Sequence, residues 1–298
     1  MQEVFVSYFS DTGLTCKSFN KPKPYPPLFL CEINFLFMKK LFFLAVLSGF
    51  AACNSGTTPS DKPNPNAPKG MSHSIVGTYP HDTSFYTQGL VIYKGDLYEG
   101  TGLPGKSKLM KVDLKTGKAL QSINLEAKYF GEGVTILNDT VYQLTWQNKV
   151  VFVYTLKDFK KIKEFKIDTE GWGLTNDGKN LIVSTGSSEL SYYEPSTFKL
   201  LKTQTVTESG MPVSNINELE YINGFVYANQ YQAAYIFKID PASGQIVAKA
   251  DLQGMWDRIK AIDPDADVPN GIAYDAATNK IYITGKLWPE LYEVQFSQ

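Results

Sequence analysis

The sequence predicts an all-β protein, a five-bladed β-propeller with four-stranded antiparallel blades around a central channel. From Ile75 onward, short alternating runs such as "DTVYQLTW" and "KIYITG" are separated by turn sequences such as "NDGK" and "PASGQ". This pattern is typical of strands joined by tight turns. A strand–turn–strand unit then recurs roughly every 40–50 residues, which is the spacing of propeller blades. A single short segment, residues 252–263, favours a helix.

The repeat consists of five units, namely "YTQGLVIYKGDLYEG", "FGEGVTILNDTVYQLTW", "GWGLTNDGKNLIVSTG", "INELEYINGFVYANQY" and "PNGIAYDAATNKIYITG". After the fifth unit the chain offers one more strand, "LYEVQF". We therefore expect residues 75–80, "IVGTYP", to complete the fifth blade. A β-sandwich is the alternative all-β fold, but it does not require a repeat.

One position of each unit is expected to face the channel, because the first strand of a propeller blade lines it. The aligned units place these residues there: Gln88, Glu132, Trp172, Glu218 and Asn270. Glu132 stands between two glycines in an otherwise apolar strand, where an unpaired carboxylate is unfavourable. The glycines indicate a bulge or a close approach of another group, which we interpret as room for a substrate. Glu218 is expected to make structural hydrogen bonds.

The sequence before the repeats indicates export. Residues 38–53 contain two lysines, a short apolar run and small residues before Cys53, the order found in bacterial lipoprotein signal peptides. The run is shorter than the roughly 20 residues of a membrane-spanning helix. We expect lipid on Cys53, anchoring the protein to a membrane of the bacterial cell envelope, periplasmic or surface-exposed. An ordinary secretory signal is the alternative.

The domain organisation follows from these signals. Residues 1–37 are interpreted as an extension upstream of the true start, and residues 38–53 as the signal peptide. Residues 54–74, rich in Pro, Asn, Ser and Thr, are expected to form a disordered tether. Residues 75–298 form the propeller, which we expect to be monomeric.

Composition argues against several function classes. The formal net charge of −1 and the lack of a basic stripe give no indication of a nucleic-acid partner. The two histidines, His73 and His81, both precede the repeats, which argues against a histidine-ligated zinc or a Ser-His-Asp triad. His81 is expected to lie on the surface.

Several motifs resemble those of the plant-type glutaminyl-peptide cyclotransferases and their bacterial homologues: "FYTQGL", "FGEGVTIL", "QLTW", "GWGLTNDGK", "INELEYING" and "GKLWPELYEV". The resemblance covers essentially all of residues 75–298. Members of this family are five-bladed propellers that convert an N-terminal glutamine to pyroglutamate and release ammonia. The resemblance therefore implies an enzyme that acts on peptides and proteins beginning with glutamine.

The resemblance also implies which side chains form the site. Glu132 would be the catalytic carboxylate, with Lys286 and Asn217 as further catalytic residues. The substrate-binding wall would consist of Tyr86, Gln88, Phe130, Trp146, Trp172 and Tyr231. Tyr86 and Tyr231 stand where the family usually has phenylalanine and tryptophan, which concerns substrate preference more than chemistry. Taken alone, the two tryptophans could be core residues and Lys286 a solvated loop residue.

The reaction needs a group that moves a proton between two nitrogens. The α-amine titrates near ~8 and must be neutral to attack, and the amide nitrogen must gain a proton to leave as ammonia. One carboxylate can act as base and then as acid. Burial among Phe130, Trp146 and Trp172 would raise the pKa of Glu132, and Lys286 would lower it. The sequence leaves open which effect prevails.

Two other function classes remain open at the sequence level. Catalysis is expected to need no cofactor and no metal. A channel lined by Glu132, Asn217, Glu218 and Asn270 could nevertheless hold a divalent cation on oxygen ligands, as a structural ion or as in calcium-dependent lactonases. The other alternative is a non-catalytic surface lipoprotein that binds peptides.

Overall fold

The computed structural model describes residues 67–297. The predicted upstream extension, the signal peptide with Cys53 and most of the predicted tether lie outside the described residues. The two strands that come first in the described chain are β1 (Lys69–Gly70) and β2 (Ser72–Pro80). Both begin before Ile75, where the sequence places the start of the propeller. β2 begins at Ser72 because it pairs with the last strand of the chain along its whole length.

The strands that follow form blades in chain order, each hydrogen-bonded from its first strand outward. Blade 1 contains β3 (Thr87–Tyr93), β4 (Asp96–Thr101), β5 (Lys108–Val112) and β6 (Ala119–Asn124). Blade 2 contains β7 (Gly131–Leu137), β8 (Thr140–Thr145), β9 (Val150–Thr155) and β10 (Lys161–Lys166). Blade 3 contains β11 (Leu174–Asn176), β12 (Leu181–Ser184), β13 (Glu189–Tyr193) and β14 (Leu200–Thr205).

The second half of the chain completes the ring. A small hairpin of β15 (Thr207–Glu208) and β16 (Met211–Pro212) precedes blade 4. Blade 4 contains β17 (Ile216–Ile222), β18 (Phe225–Gln230), β19 (Tyr235–Ile239) and β20 (Ile246–Asp251), with β1 added in parallel at its outer edge. Helix α1 (Gln253–Ile262) follows, where the sequence predicts a helix. Blade 5 contains β21 (Pro269–Asp275), β22 (Lys280–Gly285), β23 (Glu290–Ser297) and β2.

The five first strands pack side by side in a closed ring. Each of β3, β7, β11 and β17 contacts the first strand of the next blade, and β21 contacts β3. The predicted five-bladed propeller is confirmed, and so is the completion of the fifth blade by residues 75–80, which pair with β23. In the part of the chain that the structure describes, no helix is long and apolar enough to cross a membrane.

Glycines in the first strands let the backbones of neighbouring blades meet. A Cβ atom on Gly133 would lie 2.5 Å from the amide nitrogen of Leu174, and one on Gly173 would lie 2.0 Å from the carbonyl oxygen of Asn217. A Cβ atom on Gly131 would lie 2.7 Å from the carbonyl oxygen of Thr101 in blade 1. The interpretation of the glycines beside Glu132 as room for a substrate is therefore wrong, because the adjacent blades occupy that space.

The same strands are bulged where the motif residues stand. The pairing with the second strand shifts register between Gly131 and Val134 in blade 2, which brackets Glu132. Blades 1, 4 and 5 show the same shift, between Thr87 and Gly89, Ile216 and Leu219, and Pro269 and Ile272. A bulge re-aims the side chains it contains. The bulge that the glycines indicated is confirmed.

The expectation that His81 lies on the surface is wrong. The side chain is buried directly after β2, with Nδ1 2.7 Å from the carbonyl oxygen of Trp288 and Nε2 3.2 Å from Oε1 of Glu99. Burial lowers the pKa of His81, but Glu99 and the hydrogen bonds raise it more, so the pKa lies above its ordinary value. The pair ties the end of β2 to β4 of blade 1.

Two buried carboxylates of β17 connect blades across the channel. Glu218 accepts hydrogen bonds from the amides of Leu90 (3.2 Å) and Ile272 (2.9 Å), which belong to blades 1 and 5. Glu220 accepts from the amide of Tyr274 (2.9 Å) and from Oγ1 of Thr175 (3.2 Å). Burial raises the pKa of both carboxyls, that of Glu220 to about 8. The predicted structural role of Glu218 is confirmed.

Candidate active site

In each blade, one further backbone hydrogen bond forms just beyond the ends of the first two strands. The predicted site residues lie at this end of the ring. The amide of Trp146 donates to the carbonyl of Phe130 at 3.0 Å, next to the start of β7 and the end of β8. The other blades form the equivalent bonds Gly102–Tyr86, Trp172–Ser184, Tyr231–Asn215 and Lys286–Val268. Side chains far apart in the sequence are thereby brought to one place.

Six of the predicted side chains, together with Glu170, form a closed circuit of contacts that we call the collar. The collar consists of Tyr86, Phe130, Trp146, Glu170, Trp172, Tyr231 and Lys286. On one side, Phe130 makes edge contacts with Tyr86 and Trp146, at 6.2 and 5.6 Å between ring centres. On the other side, Trp172 makes an edge contact with Tyr231 at 5.4 Å.

Two charged side chains close the circuit. Oε2 of Glu170 accepts hydrogen bonds from the indole N–H groups of Trp146, at 2.7 Å, and Trp172, at 3.3 Å. The ammonium of Lys286 lies over the rings of Tyr86 and Tyr231, 4.7 and 5.1 Å from their centres. Such cation–π contacts orient a lysine and stabilise its charge. The two tryptophans thus belong to the collar.

Glu132 is buried, with 4% of its surface exposed. Burial raises the pKa of its carboxyl well above the ordinary value, Lys286 lowers it, and Glu170 raises it. The sequence left open whether burial or Lys286 has the larger effect on this pKa, and burial has the larger effect. A carboxyl of this kind exchanges a proton closer to neutral pH than an exposed glutamate does.

Lys286 is also buried, with 3% exposed, and is not a solvated loop residue. Burial lowers the pKa of its ammonium to about 8, while Glu132 and Asp267 raise it. Lys286 lies in the loop between β22 and β23. Trp288 fixes this loop, because its indole N–H donates to the carbonyl of Asp267 at 2.8 Å. Gly285 is required there, because a Cβ atom would lie 2.2 Å from the Trp288 indole.

Gln88 and Asn217 are buried as well. The side chain of Gln88 packs against Gly102 beside Phe130, and its Oε1 accepts a hydrogen bond of 3.3 Å from Nδ2 of Asn270. Asn217 lies in the bulge of β17, and its backbone oxygen accepts from Oγ of Ser184 at 2.6 Å. Its side-chain oxygen has no hydrogen-bond partner among residues 67–297. The buried side-chain oxygen of Asn217 is therefore not held by a collar residue through a hydrogen bond.

The side chains expected to hold a cation in the metal alternative differ in their surroundings. Among the residues that the structure describes, no three His, Cys, Asp or Glu side chains gather as metal ligands. Of the four side chains expected to hold a cation, Glu218 has both carboxylate oxygens on backbone amides.

Comparison with known proteins decides the family. The model of the family described as glutamine cyclotransferase matches residues 45–296. A glutaminyl-peptide cyclotransferase of Arabidopsis thaliana is 40% identical over 227 residues, which cover 75% of this chain and 71% of the relative. The chain belongs to the glutamine cyclotransferase family. A crystal structure of Myxococcus xanthus glutaminyl cyclase superposes with a TM-score of 0.73 at 33% identity, covering 77% of this chain and 98% of that one.

Two residues of the candidate site in this glutamine cyclotransferase were missed by the sequence analysis. Glu170 joins the two collar tryptophans, and Asp267 accepts a hydrogen bond of 3.0 Å from the hydroxyl of Tyr86. Both are half-buried carboxylates. The available signal was their position, since Glu170 stands two residues before Trp172 and Asp267 shortly before the fifth unit.

Proposed function

We propose that this chain cyclises the N-terminal glutamine of peptides and proteins to pyroglutamate, with Glu132 as the group that transfers the proton. The observation that carries the proposal is the buried carboxyl of Glu132, with a raised pKa, influenced by Lys286 and Glu170 of one aromatic collar. The family match and the names of the two relatives support the same activity.

The reaction begins with the substrate amine in its neutral form. Its nitrogen attacks the side-chain amide carbon, and a carbon–nitrogen bond closes a five-membered ring. Ionised Glu132 takes one of the two amine protons as this bond forms. It then gives that proton to the amide nitrogen, the bond from carbon to this nitrogen breaks, and ammonia leaves. The lactam nitrogen keeps the remaining proton, so Glu132 ends in the state in which it began.

The surrounding residues favour this path in two ways. The tetrahedral intermediate carries negative charge on the former amide oxygen, which donors such as Gln88 or the Lys286 ammonium stabilise. The aromatic faces of Trp146, Trp172 and Tyr231 hold the glutamine side chain folded toward its own amine. Ring closure benefits from such confinement because little freedom is left to lose in the transition state.

The decisive experiment measures ammonia released from a Gln-initiated dipeptide by the full-length protein. Glu132→Gln keeps the shape of the side chain but cannot accept the proton, so we expect the rate to fall by about 10²–10⁴-fold. The matched control is Glu189→Gln, which changes an exposed glutamate of β13 and should leave the rate unchanged. Equal rates for wild type and Glu132→Gln would overturn the role of Glu132.

The same assay separates the alternatives. We propose that turnover needs no metal, so the rate should survive an excess of EDTA, whereas a calcium-dependent hydrolase would lose its activity. A peptide-binding lipoprotein would bind Gln-initiated peptides equally well with or without Glu132→Gln and would release no ammonia in either case.

We also propose that the chain acts in the bacterial cell envelope, held by lipid on Cys53. The support is the signal-like order of residues 38–53. Wild type expressed with a radiolabelled fatty acid should carry the label, and Cys53→Ser should not. Label on neither protein would contradict the anchor.

A further inference from the structure

The amide of Asn270 has a defined orientation. Asn270 is fully buried in the bulge of β21, and its Nδ2 lies 2.9 Å from the carbonyl oxygen of Thr87. A backbone carbonyl oxygen can only accept hydrogen bonds. The atom of Asn270 that faces Thr87 must therefore be the nitrogen, because the amide oxygen would be repelled there.

This orientation fixes the next amide in turn. The same nitrogen of Asn270 lies 3.3 Å from the end of the Gln88 side chain. Two NH₂ groups facing each other would leave a donor without an acceptor, so Gln88 presents its oxygen to Asn270. The NH₂ group of Gln88 then points away from Asn270. The bond from Asn270 thus occupies the oxygen of Gln88 and leaves its NH₂ group on the opposite side of the amide.

The orientation of the Asn270 amide has an energetic cost. With its nitrogen donating to Thr87 and Gln88, its Oδ1 is buried without a hydrogen-bond partner in the described part of the chain. A buried acceptor without a donor is unfavourable. The unpartnered Oδ1 of Asn270 is thus the cost of holding Gln88 in this orientation. Gln88 packs next to Phe130 of the collar.

We propose that Asn270 is a positioning residue that turns the NH₂ group of Gln88 toward the substrate. Gln88 then donates a hydrogen bond to the oxygen of the tetrahedral intermediate. The proposal rests on the cyclisation proposed above and names the residue that determines which atom of Gln88 the intermediate meets. Asn270 makes no contact with the substrate in this role and acts through Gln88.

The test is a double-mutant cycle of Asn270→Asp and Gln88→Ala, with kcat and KM measured for a Gln-initiated dipeptide. At the alkaline end of the pH range, where the carboxyl introduced by Asn270→Asp is ionised, it cannot donate to Gln88. The Gln88 amide should then turn its NH₂ group to that carboxylate and its oxygen to the substrate. Loss of one oxyanion donor lowers kcat by about 10²–10³-fold. We expect this loss for each single variant, with KM little changed, and almost no further loss in the double variant.

A merely structural role for Asn270 gives a different result. The loss from Asn270→Asp would then be as large in the Gln88→Ala background as in wild type, and this outcome would overturn the proposal. Should Asn270→Asp fail to fold, Asn270→Ala replaces it in the cycle with the same expectation of non-additivity. Thermal unfolding of each variant shows which of the two substitutions the cycle can use.

The pH dependence gives a second readout. The carboxyl introduced by Asn270→Asp regains a donor when it is protonated, so the ratio of the variant's kcat to that of wild type should rise as the pH falls. A flat ratio together with additive losses contradicts the role. Active wild type with additive losses overturns this inference alone. Wild type that releases no ammonia overturns the proposed function, and this inference with it.

Discussion

The carboxyl of Glu132 is subject to three influences that a sequence alone cannot rank. Burial raises its pKa most, Lys286 opposes burial, and Glu170 adds to it. The two charged neighbours act in opposite directions on the same proton. This makes Glu132 adjustable, because either neighbour can be neutralised by a single substitution without touching the carboxyl itself.

We predict opposite shifts of the pH–rate profile for these two substitutions. Glu132 must be ionised to accept the proton, so its pKa sets the acid limb of kcat. Lys286→Gln removes the charge that lowers this pKa, and the limb should move to higher pH. Glu170→Gln removes a charge that raises it, and the limb should move to lower pH.

The measurement is kcat from pH 5 to 9 for wild type and both variants, with Glu189→Gln as the exposed control. The positions of the limbs are compared and not the maximal rates, because both residues also hold the collar together. Shifts in the same direction for both variants would show that Glu132 does not set the limb.

The blade is the element that the sequence revealed most clearly, and the reason is physical. A blade has a local repeat of strands and turns, so the alternation of "DTVYQLTW" and the turn in "NDGK" are visible within a few residues. Glu132 could be placed at the channel through the repeats, and Lys286 and the aromatic wall through the family's motifs. His81, Glu170 and Asp267 could not, because their roles arise from packing between blades. The contact of His81 with Trp288 joins positions 207 residues apart.

Gly173 lies where blades 3 and 4 come into close contact. We predict that Gly173→Ala destabilises the protein by about 1–3 kcal/mol or more, as overpacking of a tight core does. The new Cβ atom would meet a backbone oxygen of β17 at 2.0 Å, which cannot move like a flexible side chain.

The matched control is Gly254→Ala in α1, where a Cβ atom would meet nothing within 4 Å. Alanine is favoured over glycine in a helix by roughly 0.5–1 kcal/mol, so this variant should be slightly more stable than wild type. Urea unfolding measures both free energies. Equal stability of Gly173→Ala and wild type would contradict the close packing of blades 3 and 4.

At the scale of the whole molecule, the channel carboxylates make stability depend on pH. The pKa of Glu220 is about 8 in the folded protein, against 4.5 for the ordinary group. Between these values the folded state holds a proton that the unfolded state has lost, so the free energy of unfolding falls as the pH rises. The contribution of Glu220 is fully present below the lower value and is lost as the pH rises through about 8.

We therefore predict that Glu220→Gln weakens the decline of the melting temperature between pH 5 and pH 8. Glutamine keeps a group that accepts from the amide of Tyr274 but carries no titrating proton. Glu189→Gln, at an exposed position of β13, should leave the slope as in wild type. An unchanged slope for Glu220→Gln would mean that this carboxyl does not titrate differently in the two states.

The pairing of β2 with β23 also determines when the ring of blades can close. Ser72 and Ser297 are 225 residues apart, yet their side chains are hydrogen-bonded. A ribosome makes β2 early, and the strand must wait with an unpaired edge until nearly the whole chain has emerged. Lys286 arrives just before β23, so the collar is assembled in the same final stage. A chain cut before residue 286 keeps Glu132 but lacks both Lys286 and β23, so neither the collar nor the ring can close.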